Sequence, residues 1–424
     1  MPWQTDDGDM GLHVTPRAEA SGGDAGRAAS RGRRLSAQRI PSLDGFRGWA
    51  VLAVIFYHFS LPIIAAGAHG IASKALLHFL ATGSVGVDMF FALSGFLITG
   101  ILLDSREEPG YFRNFYMRRV LRIFPLYYGV LLVVFGMLWW TRPIQPFVPH
   151  QAWLWLYVAN FAGLRQVSMV PMFDHFWSLA VEEQFYLAWP IMVFLLPRRR
   201  LLHVALWLIG GSLVLRCALI GSGALGAELA AGLTPCRLEG LLLGSVLAII
   251  QREPGALSAL RRPAIVVGTL AALAAMLSRG VAGAQSVWGL SGVGHFTVPV
   301  AFTCVLALAA GGQGMWATVL SMRWLRFFGK YSYGLYVFHY LFEPWLDRWF
   351  WLLPAWPVAS IVLHMILALA ATLAVALASW HLYEKQFLKL KRWFEPGAHA
   401  SPMPVPDRVS SGPAATEVAG PVAA

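Results

Sequence analysis

Apolar positions in this chain gather in long runs separated by short polar, arginine-bearing stretches. A run of about 20 apolar residues is what a helix needs to cross a hydrocarbon layer. On that pattern the chain holds about ten membrane-spanning helices, near residues 48–66, 82–103, 123–140, 176–196, 201–222, 238–252, 263–279, 294–312, 331–352 and 357–381. The stretch 152–164 is apolar and aromatic, with Trp153, Trp155 and Tyr157, but short. If it crossed, every later basic cluster would be forced to the outer side. It is therefore expected to be re-entrant or interfacial on that side, where Trp and Tyr are favoured. The expected fold class is an all-α polytopic membrane protein.

The arginines decide the orientation. With the N-terminus inside, the inner side receives Arg31, Arg33, Arg34 and Arg39, then Arg106, Arg113, Arg118, Arg119 and Arg122. It also receives Arg198–Arg200, Arg252, Arg261, Arg262, Arg323, Arg326, Lys330 and the Lys385–Arg392 stretch. The outer side keeps only Lys74, Arg142, Arg165, Arg237 and Arg348. Positive residues stay inside, so the expected topology is N-in, C-in in the cytoplasmic (inner) membrane. Residues 1–38 and 396–424 are expected to be disordered cytoplasmic tails around a membrane domain at 39–395. The first of them has no apolar core and does not read as a signal peptide. The chain past 396 is expected to be too short for a further folded domain.

Composition sharpens this picture. Hydrophobic residues make up 57% of the chain and charged residues 13%, which excludes an ordinary soluble domain. The net charge of +11 is then topology information rather than a nucleic-acid surface. Three scattered cysteines, Cys217, Cys236 and Cys304, have no metal-like spacing, so neither disulfide framework nor metal site is expected.

Candidate chemistry lies in polar residues inside the apolar runs, where they are costly. Arg47 opens the first run and His58 lies within it. Eleven steps of roughly 100° are about three turns, so the two share a face roughly 16 Å apart. That places a charge at the rim and a titratable group near mid-depth; the bland account is a snorkelling arginine and a structural histidine. Asp88 needs a partner and reads equally as a structural pair or as active-site support. Arg119 and Arg122, three apart on an amphipathic segment, suit phosphate oxygens or lipid headgroups. Ser178, Glu182 and Tyr186 recur every four residues on the fourth run, beside Glu183 and Gln184. At least one of these must face a polar interior. Ser332, Tyr336, His339 and Glu343 form a second stripe, and Arg237 and Glu239 a local pair at the outer surface.

Taken in order, several blocks resemble the acyltransferase 3 family. They are Arg47 to His58, Gly86-Val87-Asp88-Met89-Phe90-Phe91-Ala92-Leu93-Ser94-Gly95-Phe96-Leu97, Arg119-Val120-Leu121-Arg122, Trp177-Ser178-Leu179-Ala180-Val181-Glu182-Glu183-Gln184-Phe185-Tyr186 and Ser332-Tyr333-Gly334-Leu335-Tyr336. The likeness runs from about residue 39 to 392. It implies an integral-membrane O-acyltransferase that takes an acyl group, acetyl or another short chain, from cytoplasmic acyl-CoA. The acceptor would be a hydroxyl of a polysaccharide, lipopolysaccharide, peptidoglycan or other glycoside. His58 then corresponds to the catalytic histidine with Arg47 its companion, and Arg119 and Arg122 to the acyl-CoA contacts. Some members carry a fused extracytoplasmic hydrolase-like domain, for which this chain is expected to be too short.

The expected mechanism needs no metal and no tightly bound cofactor; acyl-CoA is a co-substrate. The imidazole of His58 serves as general base or forms an acyl-imidazole. Glu182, Glu183 or Asp88 is expected to orient it, with the acceptor arriving near the 141–175 loop. The rivals are a proton-coupled transporter or flippase using the same buried groups, and a membrane receptor or scaffold indifferent to loss of His58.

Overall fold

The computed structural model describes residues 40–65, 70–141, 150–165, 170–281, 293–342 and 357–394, and among them every regular element is helical. The principal helices are α1 (Pro41–Ala65), α2 (Ile71–Ala81), α3 (Gly86–Asp104), α4 (Tyr111–Thr141), α5 (Phe176–Leu195) and α6 (Arg198–Gly221). They continue as α7 (Glu239–Ile250), α8 (Ala256–Val281), α9 (Val293–Ala310), α10 (Arg323–Lys330), α11 (Ser332–Phe338) and α12 (Pro357–Ser379). Six stretches among the described residues are long and apolar enough to cross a membrane: Pro41–Ala65, Ile71–Asp104, Tyr111–Met137, Arg198–Gly221, Ala256–Ser278 and Val358–Phe394. Glu239–Ile250 and Gly294–Ala310 are shorter apolar helices. The tails and the last part of the expected 331–352 span, from Glu343 on and with Arg348 included, lie outside the described residues.

Two boundaries differ from the expected ones for physical reasons. Helix α4 runs 31 residues without a break, so Arg119 and Arg122 sit on the first half of a spanning helix rather than on a separate interfacial one. Nothing between Tyr111 and Phe124 stops a helix, and Pro125 withdraws a single N–H. Carbonyls beside the proline are satisfied from other helices: Tyr333 donates to Ile123 O at 2.8 Å and Tyr383 to Pro125 O at 3.2 Å. The second difference is α11, which gives way to a short 3₁₀ turn at His339–Leu341 instead of continuing as a long helix.

The 152–164 stretch is not a continuous helix. It forms one turn, Ala152–Trp155, and a 3₁₀ segment, Ala159–Arg165, joined through Tyr157 at φ 53°. A bulky residue in the left-handed region is strained and must be held there. Its ring stacks on Tyr127 at 4.1 Å and on Phe124 at 5.8 Å. Irregular backbone at this depth needs partners from protein. Tyr127 donates to Leu154 O (2.8 Å), Tyr128 to Trp155 O (3.1 Å), and Gln184 to both Tyr157 O (2.8 Å) and Asn160 Oδ1 (3.0 Å).

The helices meet along glycine seams. A Cβ at Gly95 would lie 1.7 Å from Leu241 O, and one at Gly244 1.9 Å from Ala92 O, so α3 and α7 touch backbone to backbone. Gly48 and Gly329 bring α1 and α10 equally close, with 1.9 and 1.8 Å to Leu325 O and Asp44 O. Beside the first seam, Trp189 donates to Thr99 Oγ1 and Thr99 to Ser245 Oγ, each at 2.8 Å, tying α5, α3 and α7 together. Small residues permit this approach, and interhelical hydrogen bonds then hold it.

At one end of the bundle the turns are tied by arginines. Arg106 donates to Phe194 O at 2.8 Å, Arg198 pairs with Glu253 at 2.6 Å, and Arg252 pairs with Asp104 at 2.7 Å. The N-terminal turns of α1 and α4 lie at this end too, because Arg47, Asp44, Arg119 and Arg122 feel one another's charge.

The seams predict a sharp contrast between glycines. Gly95→Ala should cost more than the about 1–3 kcal/mol typical of overpacking, because its neighbour is backbone. Gly136 meets nothing within 4 Å, and Gly136→Ala should hold or raise stability. Melting temperatures of the detergent-solubilised variants check both; equal effects would refute the close seam.

Candidate active site

The polar stripes of α1 and α5 face each other in opposite directions. On α1, Arg47 stands at the arginine-rich end and His58 three turns further in. On α5, the order reverses: His175 precedes the first turn, then Ser178, Glu182 and Tyr186 follow at four-residue spacing. His58 and His175 stand 6.4 Å apart between ring centroids. At the other end, Arg47 lies within electrostatic reach of Glu182 and near Tyr186. The result is one polar column with histidines at its head and arginines at its foot.

The head gathers three imidazoles. His339, at the break after α11, is fully buried, and its Nε2 lies 3.1 Å from His58 Nδ1. His339 Nδ1 meets the Tyr336 carbonyl at 2.7 Å, and His58 Nδ1 also meets the Val54 carbonyl at 3.0 Å. These contacts assign the protons. A carbonyl only accepts, so His339 Nδ1 carries its hydrogen and its Nε2 is a bare lone pair. That lone pair accepts from His58 Nδ1–H, which is shared with Val54 O. The His58 Nε2 is left unprotonated, and no described residue bonds it. This is the tautomer a base or nucleophile needs. Tyr340 closes one side of the His58 ring at 4.8 Å.

The middle of the column is hydroxyl-rich. Ser178 Oγ and the Tyr336 hydroxyl bond each other, and so do Ser94 Oγ and the Tyr186 hydroxyl. Glu182 lies close to that Ser94–Tyr186 pair and within electrostatic reach of both Arg119 and Arg47. Glu183, one residue on, turns away from the stripe toward Tyr127, Tyr128, Tyr157 and Tyr333.

The foot is cationic. Arg47, Arg119 and Arg122 act on one another electrostatically, and Asp44, 3.4 Å from Arg47, is a weak counter-charge. Arg119 also stacks over Tyr186 at 5.1 Å and Phe115 at 5.9 Å. A π-turn at Trp380–Glu384 ends α12 and sets Glu384 within reach of Arg122. Lys391, beyond it, faces Arg118, Arg119 and Arg122. So many cations in one place suit an anion of several charges.

The expected residues therefore divide. Arg47, His58, Glu182, Arg119 and Arg122 share the column. Asp88 does not join it by any hydrogen bond or ion pair: it pairs with Arg237 at 3.2 Å in a separate buried network. Arg237 also meets His295, and the neighbouring Arg216–Glu239 pair is buried as well. The groups on His58 Nδ1 are His339 and Val54 O, not one of the expected carboxylates. His339 had been read only as part of a structural stripe, and His175 had been given no role. One signal was present: His175 and Tyr186 repeat the eleven-residue spacing of Arg47 and His58. Among the described residues no group of histidines, cysteines and carboxylates is arranged to hold a metal ion.

A family model described as an acyltransferase domain matches residues 40–381. The chain belongs to the acyltransferase 3 family. Two similar proteins place it further. O-acetyltransferase OatA of Staphylococcus aureus (strain NCTC 8325 / PS 47) is 30% identical over 335 residues, covering 73% of this chain and 51% of that protein. Peptidoglycan O-acetyltransferase OatA of Listeria monocytogenes is 28% identical over 339 residues, 73% of this chain and 50% of that protein. The chain thus spans about half the length of these relatives. No solved structure matches it.

If His339 fixes the His58 tautomer, His339→Phe should lower kcat at least about tenfold, part of the 10²–10⁴ that a positioned base supplies. Neither KM should move much. Steady-state kinetics on the purified variant check this, and a KM effect alone would remove His339 from the chemistry.

Proposed function

We propose that the protein transfers an acetyl or other short acyl group from cytoplasmic acyl-CoA to a hydroxyl of a carbohydrate at or beyond the membrane. The single observation that carries this reading is the column, with a phosphate-suited arginine cluster at one end and a proton-free imidazole nitrogen at the other. Acyl-CoA is an anion with a long uncharged arm, and the column matches that order. Arg119 and Arg122 grip the phosphates, with Arg47 drawing the donor inward along α1. The thioester carbonyl then comes to rest beside His58. His58 Nε2 takes the proton of the acceptor hydroxyl as its oxygen attacks the carbonyl carbon. The tetrahedral intermediate collapses, the carbon–sulfur bond breaks, and His58 returns the proton to the departing thiolate. An ester and free coenzyme A result, with no redox change. Acyl transfer first to Nε2 would use the same lone pair.

The relatives' names bear on the acceptor. One is named for peptidoglycan, and a glycan hydroxyl of that kind is the acceptor we favour. Ten spans with both termini in the cytoplasm of the inner membrane is the topology we propose. It sets the arginine cluster on the side where coenzyme A occurs. A cysteine at Ser258, near the arginine-tied turns, should then resist an impermeant thiol reagent added outside, while one at Ala224 should react; the reverse labelling would overturn the orientation.

Two substitutions test the chemistry. His58→Ala should abolish release of coenzyme A without altering membrane insertion. Arg122→Ala should raise the acyl-CoA KM tenfold or more, since a charge-assisted phosphate contact contributes about 1.5–3 kcal/mol. Lysine there should rescue in part, because it keeps the charge and loses the planar fork. Arg113 is exposed and stacks over Phe394 at 5.3 Å, so Arg113→Ala is the control. Equal, slight effects from Arg122→Ala and Arg113→Ala would reduce the pair to a lipid anchor.

A further inference from the structure

One buried group at the head of the column does nothing in the mechanism above. His175 is 2% exposed, and neither of its ring nitrogens has a hydrogen-bond partner. The backbone of Tyr336 and Val337 passes nearby without the geometry of a bond. A buried imidazole offers one donor and one acceptor, and leaving both unmet is costly. The residue is nevertheless held firmly. The bonded hydroxyl pair of Ser178 and Tyr336 lies against its carbonyl, at 3.0 and 3.1 Å, so that one of the two donates to it. Aromatic edges fix the ring, with His339 at 4.8 Å and Tyr340 at 5.4 Å. A side chain locked in place with vacant polar atoms is prepared for a ligand.

Its position says which one. The foot of the column, where the donor arrives, is some eleven helical residues away along α5. His175 follows closely on the short 3₁₀ turn Pro171–Phe173 that leads into α5. The free Nε2 belongs to His58, and the 6.4 Å between the two ring centroids is a separation that one oxygen, about 2.8 Å from a nitrogen of each, can bridge once the acceptor displaces the side chains around it. A hydroxyl has the matching inventory: it donates to His58 Nε2 and accepts from an N–H of His175.

We propose that His175 binds the acceptor, holding the reacting sugar hydroxyl between itself and His58. This rests on the reading of the protein as an acyl-CoA-dependent O-acyltransferase. His175 therefore acts on acceptor affinity and aim, not on donor capture.

The test uses the full-length protein in nanodiscs, with acetyl-CoA as donor and chitotetraose as a soluble glycan acceptor. His175→Phe should raise the chitotetraose KM at least tenfold while the acetyl-CoA KM stays within twofold. Asn or Gln at 175, each keeping a donor and an acceptor, should restore much of the loss, one better than the other according to which nitrogen serves. A direct arm is independent of turnover: quenching of tryptophan fluorescence by chitotetraose, with Trp177 two residues from His175, should show the same tenfold rise in Kd. A fall in kcat with both KM values unchanged would make His175 an oxyanion donor and overturn the proposal. So would equal rises in both KM values, or an unchanged Kd. Wild-type protein that binds chitotetraose through His175 yet never releases coenzyme A would sink the proposed donor and leave the acceptor site standing.

Discussion

Inside a hydrocarbon layer a polar group has no water to turn to, and this fold is arranged around that constraint. Ser42 of α1 and Ser178 of α5 find partners on other helices, whereas the ring of His175 and the Nε2 of His58 are left open. The two open groups stand at one point. At several other points the protein satisfies buried polar groups across helices: Tyr333 and Tyr383 serve the carbonyls near Pro125, Gln184 serves the broken 152–165 backbone, and Arg237 serves Asp88.

Much of the architecture was legible in the apolar runs, since a spanning helix declares itself by length and composition. Helix α5 falls within a residue of its expected bounds because His175 and Leu196 flank an unbroken run. The α4 boundary was not legible, because an arginine-rich first half resembles a surface helix until its partners on other helices are known. The column was half legible. Spacing on one helix fixes which residues share a face, so Arg47 with His58 and Ser178 with Tyr186 could be grouped. It does not say which faces meet or in which direction they run. Sequence alone therefore offered carboxylates to orient His58, whereas folding brings His339 from a distant helix break.

The carboxylates take other parts. Glu182 stands midway along the column, close to Ser94 and Tyr186, where it moderates the positive foot. Asp88 and Glu239 neutralise two buried arginines outside it. Breaking such a pair by removing one member typically costs about 3–5 kcal/mol because the other is stranded. Loss of activity on replacing Asp88 would therefore report on folding before it reports on catalysis.

The glycine seams bear on how an acyl group crosses the layer. With no side chains between them, α3 and α7 touch as bare backbone, and so do α1 and α10. Each pair can separate only by giving up contact along its whole crossing, so each behaves as a single beam. The histidine and arginine ends of α1 are thereby kept at a fixed separation. On the proposed reading, traffic through such a frame is carried by the reach of the donor's flexible arm, not by alternate opening of the helices to either side. The frame is in this sense a fixed bore.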